Sequence, residues 1–200
     1  GRTLAGFLPT LTDLIGNPQE GLHTLYISPL KALAVDVARN LTTPIEEMGI
    51  NIRVETRTGD TPAARRQRQR YDPPNILLTT PEQIALLLSH PDAAQLFGSL
   101  KRIVLDELHA LVTSKRGELL SLAIARIAAL APQMRITALS ATVARPDLLR
   151  DWIALPVPQA PAHLLNATGG APPELSILET EDRLPWAGHS AAWAVPSCSA

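Results

Sequence analysis

Short runs of apolar and β-branched residues alternate with longer helical patterns along most of this 200-residue chain. These runs lie at residues 24–28, 52–56, 75–80, 102–107 and 135–141. Each run predicts a strand buried on both faces, as the strands of parallel sheets are. Apolar residues at helical spacing fill the intervening segments 31–48, 62–70, 81–89 and 117–130. The alternation predicts an α/β fold with a doubly wound, mainly parallel sheet.

Three prolines refine the helix boundaries. Pro44 lies inside the predicted helix 31–48 and is expected to kink or split it, because proline lacks an amide donor and clashes with the preceding turn. Pro81 and Pro146 instead stand where a helix is expected to begin, a position that tolerates proline.

The composition changes near residue 155, after which Pro, Ala and Gly dominate and only residues 175–179 predict a further strand. We therefore expect one main domain over residues 1–155. Residues 156–200 are expected to form an edge strand and a linker.

Charge and cysteine content narrow the functional classes. The formal net charge is -1, so any binding of nucleic acid must use a local basic patch rather than the charge of the whole chain. Cys198 is the only cysteine, which excludes an internal disulfide and fits a reducing compartment such as the cytoplasm. No apolar stretch has the roughly 20 residues that a membrane-spanning helix needs.

Two adjacent carboxylates and a histidine follow the apolar run 103–105: Asp106, Glu107 and His109. Side chains at the carboxyl end of a parallel strand face the crevice in which open α/β sheets bind ligands. One carboxylate there can hold Mg²⁺ while the next orients a water for attack on a phosphate. The same acid pair, taken alone, also fits a solvated loop or a helix N-cap.

A second polar cluster, Ser140-Ala141-Thr142, closes the later strand 135–141 at the same end of the sheet. Ser and Thr also start turns and cap helices, so this tripeptide alone is a weak signal. Beside the acidic cluster, its hydroxyls would lie in the same crevice and could join one hydrogen-bond network.

The segment 53–70 is the local basic patch that nucleic-acid binding would require. It contains six arginines, Arg53, Arg57, Arg65, Arg66, Arg68 and Arg70, against two acids, Glu55 and Asp60. Arginines and backbone amides can hold phosphates without reading sequence. The alternative is that the arginines form a solvated helix face.

These motifs together resemble a known family. DELH at 106–109 and SAT at 140–142 resemble motifs II and III of superfamily 2 helicases of the DExH-box group. The segments 26–36 (YISPLKALAVD), 57–62 (RTGDTP) and 79–83 (TTPEQ) resemble motif Ia, the Ib region and the next DNA-contacting motif. Segments 115–127 and 179–191 are similar to the large helicase-related family, in its ligase-associated bacterial branch.

The resemblance implies a RecA-like P-loop NTPase fold. It also implies an ATP-dependent motor that moves 3′ to 5′ on single-stranded DNA, with RNA as the alternative nucleic acid. It further implies a bacterial DNA-repair protein, acting as a monomer with a DNA ligase or nuclease as partner and without a membrane. Asp106 would hold Mg²⁺, Glu107 would activate water, and His109, Ser140, Ala141 and Thr142 would couple the nucleotide to DNA. The implied DNA-binding residues are Ser28, Pro29, Lys31, Arg57, Gly59, Asp60, Thr61, Thr80 and Pro81.

The start of the chain resembles the end of a phosphate-binding loop. Gly1, Arg2 and Thr3 align with the final Gly-Lys-Thr of that motif, and the following residues resemble its helix. These three residues would contact the nucleotide, with Thr3 and Asp106 as Mg²⁺ ligands. Arg2 replaces the usual lysine and forks its donors differently.

The sheet is accordingly expected to lack its N-terminal strand, and a second motor domain with an arginine finger is expected to be missing. A chain of this extent should hydrolyse little ATP by itself.

Two other functions remain open at this point. A non-catalytic nucleic-acid-binding module derived from a helicase would explain Arg2. A metal-dependent hydrolase that works without ATP would use Asp106 and Glu107, although further ligands at suitable spacing are absent from the sequence.

Overall fold

One five-stranded sheet organises the part of the chain that the structure, a computed structural model, describes: residues 2–141, 143–154 and 162–165, with side chains from residue 6 onward. Its strands are β1 (Thr24–Ile27), β2 (Val54–Arg57), β3 (Ile76–Thr79), β4 (Arg102–Leu105) and β5 (Arg135–Ala138). Neighbouring strands all pair in parallel, in the order β2-β3-β1-β4-β5. The predicted parallel α/β fold is confirmed.

Helices connect the strands and cover both faces of the sheet. Within the described ranges they are α1 (Arg2–Gly16), α2 (Lys31–Glu47), α3 (Ala63–Tyr71), α4 (Pro81–Leu88), α5 (Ala93–Phe97), α6 (Leu108–Val112), α7 (Lys115–Leu130) and α8 (Pro146–Ala154). Helices α4 and α8 begin at Pro81 and Pro146 as predicted. None of the described helices combines the length and the apolar character needed to cross a bilayer.

The strands divide their side chains between two cores, because successive residues of a strand point to opposite faces. In β1, Leu25 and Ile27 join the core formed with α4 to α7, whereas Tyr26 joins the core formed with α1 and α2. Strands β1 and β3 are buried over their full length. The continuous apolar runs in the sequence are the consequence of burial on both faces.

Pro44 was expected to kink or split its helix. The split was wrong, since α2 runs without a break from Lys31 to Glu47, whereas the kink stays a prediction. Pro44 occurs in the last turn, where its carbonyl still accepts the amide of Met48 at 3.0 Å. The acceptor that loses its partner is the carbonyl of Asn40, an exposed residue that water can reach. The cost of the proline is therefore small enough for the helix to continue.

Several expectations concern residues outside the described part of the chain. The strand at 175–179 lies there, and so do residues 155–161 around the expected domain boundary, which stays a prediction. The chain divides into the units Gly1–Leu164 and Leu165–Ala200, and all the helices and strands given above belong to the first.

Helix α1 runs antiparallel to β4. Near its end, Asp13 accepts a hydrogen bond from Nε of Arg102, the first residue of β4, at 2.7 Å. Near its start, a Cβ on Gly6 would lie 3.0 Å from Leu139 Cδ1 and 3.4 Å from Val104 Cγ1, so this part of the helix packs closely against the ends of β4 and β5. The amino end of α1 is therefore directed toward the carboxyl edge of the sheet.

Helices α6 and α7 meet in a tight connection at Gly117. A Cβ on this residue would lie 2.3 Å from the carbonyl oxygen of Leu111, closer than atoms can approach. The Gly117 amide donates to the Ser114 carbonyl at 2.9 Å, and the Ser114 amide donates to the Leu111 carbonyl at 3.1 Å, so consecutive turns link the end of α6 to the start of α7.

We predict that Gly117→Ala lowers the free energy of unfolding by about 1–3 kcal/mol, because the new methyl group must displace backbone atoms of α6. Urea denaturation followed by circular dichroism measures this change. Gly16→Ala is the matched control, since nothing lies within 4 Å of a Cβ at that position. Equal stability of the two variants would contradict the tight connection.

Candidate active site at the carboxyl edge of the sheet

All five strands end at one edge, and the predicted functional segments follow them there. Residues 106–109 follow β4 and residues 140–141 come shortly after β5, whereas the three predicted DNA-contacting loops follow β1, β2 and β3. Because the strand order is β2-β3-β1-β4-β5, the loops after β2, β3 and β1 are neighbours along this edge, and we call them the loop group. The acidic cluster, Asp106, Glu107 and His109 after β4, lies next to the loop group.

Asp106 is held by donors to both of its carboxylate oxygens. The amide of Glu107 donates to Oδ1 at 3.0 Å, and the hydroxyl of Tyr26 donates to Oδ2. The Tyr26 ring is fully buried and stacks on Phe7, with ring centroids 5.2 Å apart. Burial first, and then the hydrogen bond to Asp106, raises the pKa of Tyr26 well above its usual range, so the phenol remains a donor. The Asp106 carboxylate is thereby fixed in one orientation.

Glu107 has the left-handed backbone conformation, with φ 47° and ψ 47°. It is the only residue other than glycine with positive φ among those described. That conformation is strained for a residue with a side chain, and such strain tends to occur at functional sites. Here it allows the chain to turn sharply from the end of β4 into α6, which begins at the next residue.

His109 connects the acidic cluster to the segment after β5. Its Nδ1 atom lies 3.1 Å from Ser140 Oγ, 3.4 Å from the Ala141 amide nitrogen and 3.4 Å from Glu107 Oε2. An unprotonated Nδ1 accepts from the amide and the hydroxyl, whereas a protonated Nδ1 donates to the carboxylate. The two motifs thus meet at one imidazole nitrogen.

The donor set around Asp106 fits a magnesium ion bound together with a nucleotide. No group of three or more potential metal-ligating side chains occurs in the described ranges. Mg²⁺ commonly takes one or two carboxylates together with phosphate oxygens and waters, rather than a cage of protein ligands. An oriented carboxylate at the strand end, with the amino end of α1 directed toward the same edge, matches that arrangement.

The remaining residues predicted for the nucleotide and coupling sites are described only in part. Gly1 and Thr142 lie outside the described residues. Arg2 and Thr3 belong to the first turn of α1, and their backbone is helical. Their predicted contacts with nucleotide and Mg²⁺ stay predictions.

Most of the residues predicted to bind DNA are buried and build the loops from within. Ser28, Pro29, Arg57, Thr61, Thr80 and Pro81 are buried, whereas Lys31, Gly59 and Asp60 are exposed. Ser28 Oγ accepts the Leu30 amide at 3.3 Å, and Thr61 Oγ1 accepts the Thr58 amide at 2.9 Å. These hydroxyls are therefore occupied in shaping the loops, which leaves backbone groups and exposed side chains to face a ligand.

Arg57 is only 4% exposed, although arginines usually reach the surface. Its Nη1 donates to the Arg66 carbonyl at 2.8 Å, and its buried Nε has no hydrogen-bond partner. Burial, with the nearby charges of Arg66 and Arg70, lowers the pKa of Arg57 to about 10. Any contact between Arg57 and DNA, which stays a prediction, would require its guanidinium to become accessible.

Fewer of the arginines in the basic segment 53–70 are unpaired cations than its composition indicates. Three of its arginines pair with acids: Arg53 with Asp72, Arg68 with Glu55 and Arg70 with Asp92. Lys31 likewise pairs with Asp60 at 2.6 Å, in an exposed contact that contributes little to stability. Fewer arginines are thus available to bind phosphate than the sequence suggested. The alternative interpretation, a solvated helix face, applies to some of these arginines.

Sequence reasoning missed two side chains at this edge. Tyr26 contacts Asp106 across 80 residues of sequence, and Arg116 on α7 contacts both Pro29 and Glu82. Both residues fall inside segments that resemble family motifs, which was the only signal available. Their partners depend on strand order, which the sequence pattern does not specify.

Comparisons with known proteins identify the family. The sequence profile of DEAD/DEAH box helicases matches residues 1–149. The chain is 42% identical over 158 residues to the ATP-dependent helicase Lhr-Core of Methanocaldococcus jannaschii, covering 72% of this chain and 18% of that protein. It is 38% identical over 192 residues to an Lhr helicase and probable uracil glycosylase of Mycolicibacterium smegmatis, covering 88% of this chain and 12% of that one.

A solved structure gives the same result. The Mycobacterium smegmatis helicase Lhr bound to ssDNA and AMP-PNP superposes with a TM-score of 0.66 at 41% identity, over 75% of this chain and 20% of that one. The chain thus spans less than a fifth of the length of the two curated relatives given above. Its matched region nevertheless contains the sheet, the acidic cluster and the loop group, and the chain belongs to the DEAD/DEAH box helicases.

Proposed function

We propose that this chain is the first motor domain of an ATP-dependent DNA helicase or translocase, which couples ATP hydrolysis to movement along single-stranded DNA. One observation carries the proposal. The acidic cluster and the segment after β5 meet at His109, at the same edge of the sheet as the loops after β1, β2 and β3. Binding of ssDNA and AMP-PNP by the similar M. smegmatis protein supports both ligands.

The acidic cluster supplies the groups for hydrolysis. When bound, ATP would supply the phosphoryl group, and Mg²⁺ held at Asp106 would neutralise the charge that develops on it. Asp106, held by Tyr26 and the Glu107 amide, presents an oriented carboxylate to that ligand. Glu107 then accepts a proton from the attacking water at a carboxylate oxygen.

His109 relates the state of Glu107 to the segment after β5. When Glu107 is ionised, a protonated Nδ1 can donate to its Oε2 atom, 3.4 Å away. When His109 Nδ1 carries no proton, it accepts a hydrogen bond from the Ala141 amide or from the Ser140 hydroxyl. A change of charge at Glu107 would therefore alter the hydrogen bonds of the Ser140 segment.

The loop group supplies a sequence-independent contact to the DNA backbone. Helix α4 begins at Pro81, so the positive end of its dipole lies at this edge and favours a phosphate there, although the Gln83 amide already donates to the Thr80 carbonyl at 3.1 Å. Gly59 is exposed in the loop after β2, where its backbone amide can bind a phosphate, and Lys31 is exposed at the start of α2, where its ammonium group can do so by exchanging Asp60 for the phosphate. Such contacts orient a strand without reading its bases.

We further propose a role in DNA repair with a ligase or nuclease partner, action as a monomer, and a bacterial cytoplasmic location. These finer assignments follow from the resemblance to the ligase-associated branch of the large helicase-related family. The lone Cys198 is compatible with a reducing compartment. Strand β5 lies at the edge of the sheet within the described part of the chain and has no buried residue, which fits a domain that is part of a larger motor.

We predict that Glu107→Gln in the full-length protein lowers DNA-stimulated ATP hydrolysis by at least about 100-fold, because the amide cannot accept the proton of the attacking water. Phosphate release in the presence of single-stranded DNA measures this loss, and binding of AMP-PNP should persist. Glu118→Gln, the same change at an exposed residue of α7, is the control. Turnover by Glu107→Gln at the rate of the control would contradict the proposed base.

We predict that Tyr26→Phe raises the Mg²⁺ concentration for half-maximal ATP hydrolysis about tenfold, because Asp106 loses the donor that orients it. The Phe7 stack survives the change, so the fold is retained. A Mg²⁺ titration at saturating ATP measures the shift. Tyr71→Phe, at an exposed tyrosine, is the matched control, and identical titrations of the two variants would contradict the role of Tyr26.

A further inference from the structure

Arg116 joins two predicted DNA-contacting loops that follow neighbouring strands. Its Nη1 donates to the carbonyl of Pro29, two residues past the end of β1. Its Nε and Nη2 donate to the two carboxylate oxygens of Glu82, in the first turn of α4 after β3, with the Nη2 contact at 3.0 Å. The planar guanidinium has the forked donor geometry that serves both acceptors at once.

The Glu82 contact has a clear electrostatic consequence. The hydrogen bond from Arg116 is the main cause that lowers the pKa of Glu82 below its usual range. Both side chains remain partly exposed, 37% for Arg116 and 47% for Glu82, so the ion pair contributes little to global stability. Its structural effect is to fix the direction of the first turn of α4 relative to Pro29.

Arg116 is also closely connected to the acidic cluster. Helix α6 begins immediately after Glu107, and α7 begins at Lys115 after a turn of two residues. Ser114 Oγ donates to the Leu111 carbonyl at 2.8 Å, and Gly117 leaves no room between the two helices. The connection from Glu107 to Arg116 is therefore short and closely packed.

We infer that Arg116 is a positioning residue that ties the loops after β1 and β3 to the helices following Glu107, and so couples the nucleotide site to the DNA-binding edge. This inference rests on the proposed function, because it assumes that nucleotide and DNA bind at the two groups. It adds a specific route between them. The route does not use His109 or the segment after β5.

The test measures the affinity of the full-length protein for a fluorescent single-stranded oligonucleotide, with and without AMP-PNP, by anisotropy. In Arg116→Ala we expect affinity for DNA to fall about tenfold and the effect of AMP-PNP on that affinity to diminish, with the affinity for AMP-PNP in the absence of DNA unchanged. Arg116→Lys should not restore coupling, because one ammonium group cannot bridge both acceptors with the same geometry. Glu82→Gln should show a partial loss.

Arg126→Ala is the matched control, since Arg126 is exposed on the same helix. Arg116→Ala behaving like this control, or Arg116→Lys behaving like the unaltered protein, would overturn the inference. If Arg116→Ala does not fold, the nearly isosteric Glu82→Gln decides, and unaltered DNA affinity in that variant overturns it. Failure of the unaltered protein to bind DNA or AMP-PNP would instead refute the proposed function, and the inference with it.

Discussion

Parallel pairing of five strands is the constraint on which the rest of this structure depends. Because every strand runs in the same direction, the carboxyl ends of all five strands lie at one edge. Each connection to the next strand must then return across a face of the sheet. The edge thereby collects segments that are far apart in sequence. The order β2-β3-β1-β4-β5 then determines which of them are neighbours: β1, which precedes one loop of the loop group, lies next to β4, which precedes the acidic cluster.

The central pair β1 and β4 connects the two groups of residues. Tyr26 on β1 donates to Asp106 after β4, and Pro29 lies only two residues beyond the end of β1. On the other face of the sheet, α6 and α7 continue from Glu107 to Arg116, which returns to Pro29. Ligands at either group would thus act on a shared set of rigid elements, as coupling between sites requires.

The sequence predicts the features that depend on local pattern and burial. Strands buried on both faces produce continuous apolar runs, which is why β1 and β3 could be located, and the acids after β4 were identified from their position at a strand end. The five-residue helices α5 and α6 were not predicted, because they are too short to show a period. The effect of Pro44 was overestimated because its place in the last turn leaves only an exposed carbonyl without a partner.

Features that depend on distant partners could not be predicted from the sequence. Arg53 and Arg70 resemble free cations in the sequence, yet they pair with Asp72 and Asp92, brought close by the fold. Arg57 belongs to the same basic segment but is buried beneath α3. Tyr26 and Arg116 contact residues 80 and 87 positions away, so their roles follow only from strand order.

The most direct test is an experimental structure of the full-length protein with AMP-PNP, Mg²⁺ and single-stranded DNA. Our account predicts that the γ-phosphate lies beside Asp106 and Glu107, and that the DNA backbone crosses the loops after β1, β2 and β3. Nucleotide or DNA bound at the opposite edge of the sheet, with these residues facing only solvent, would contradict it.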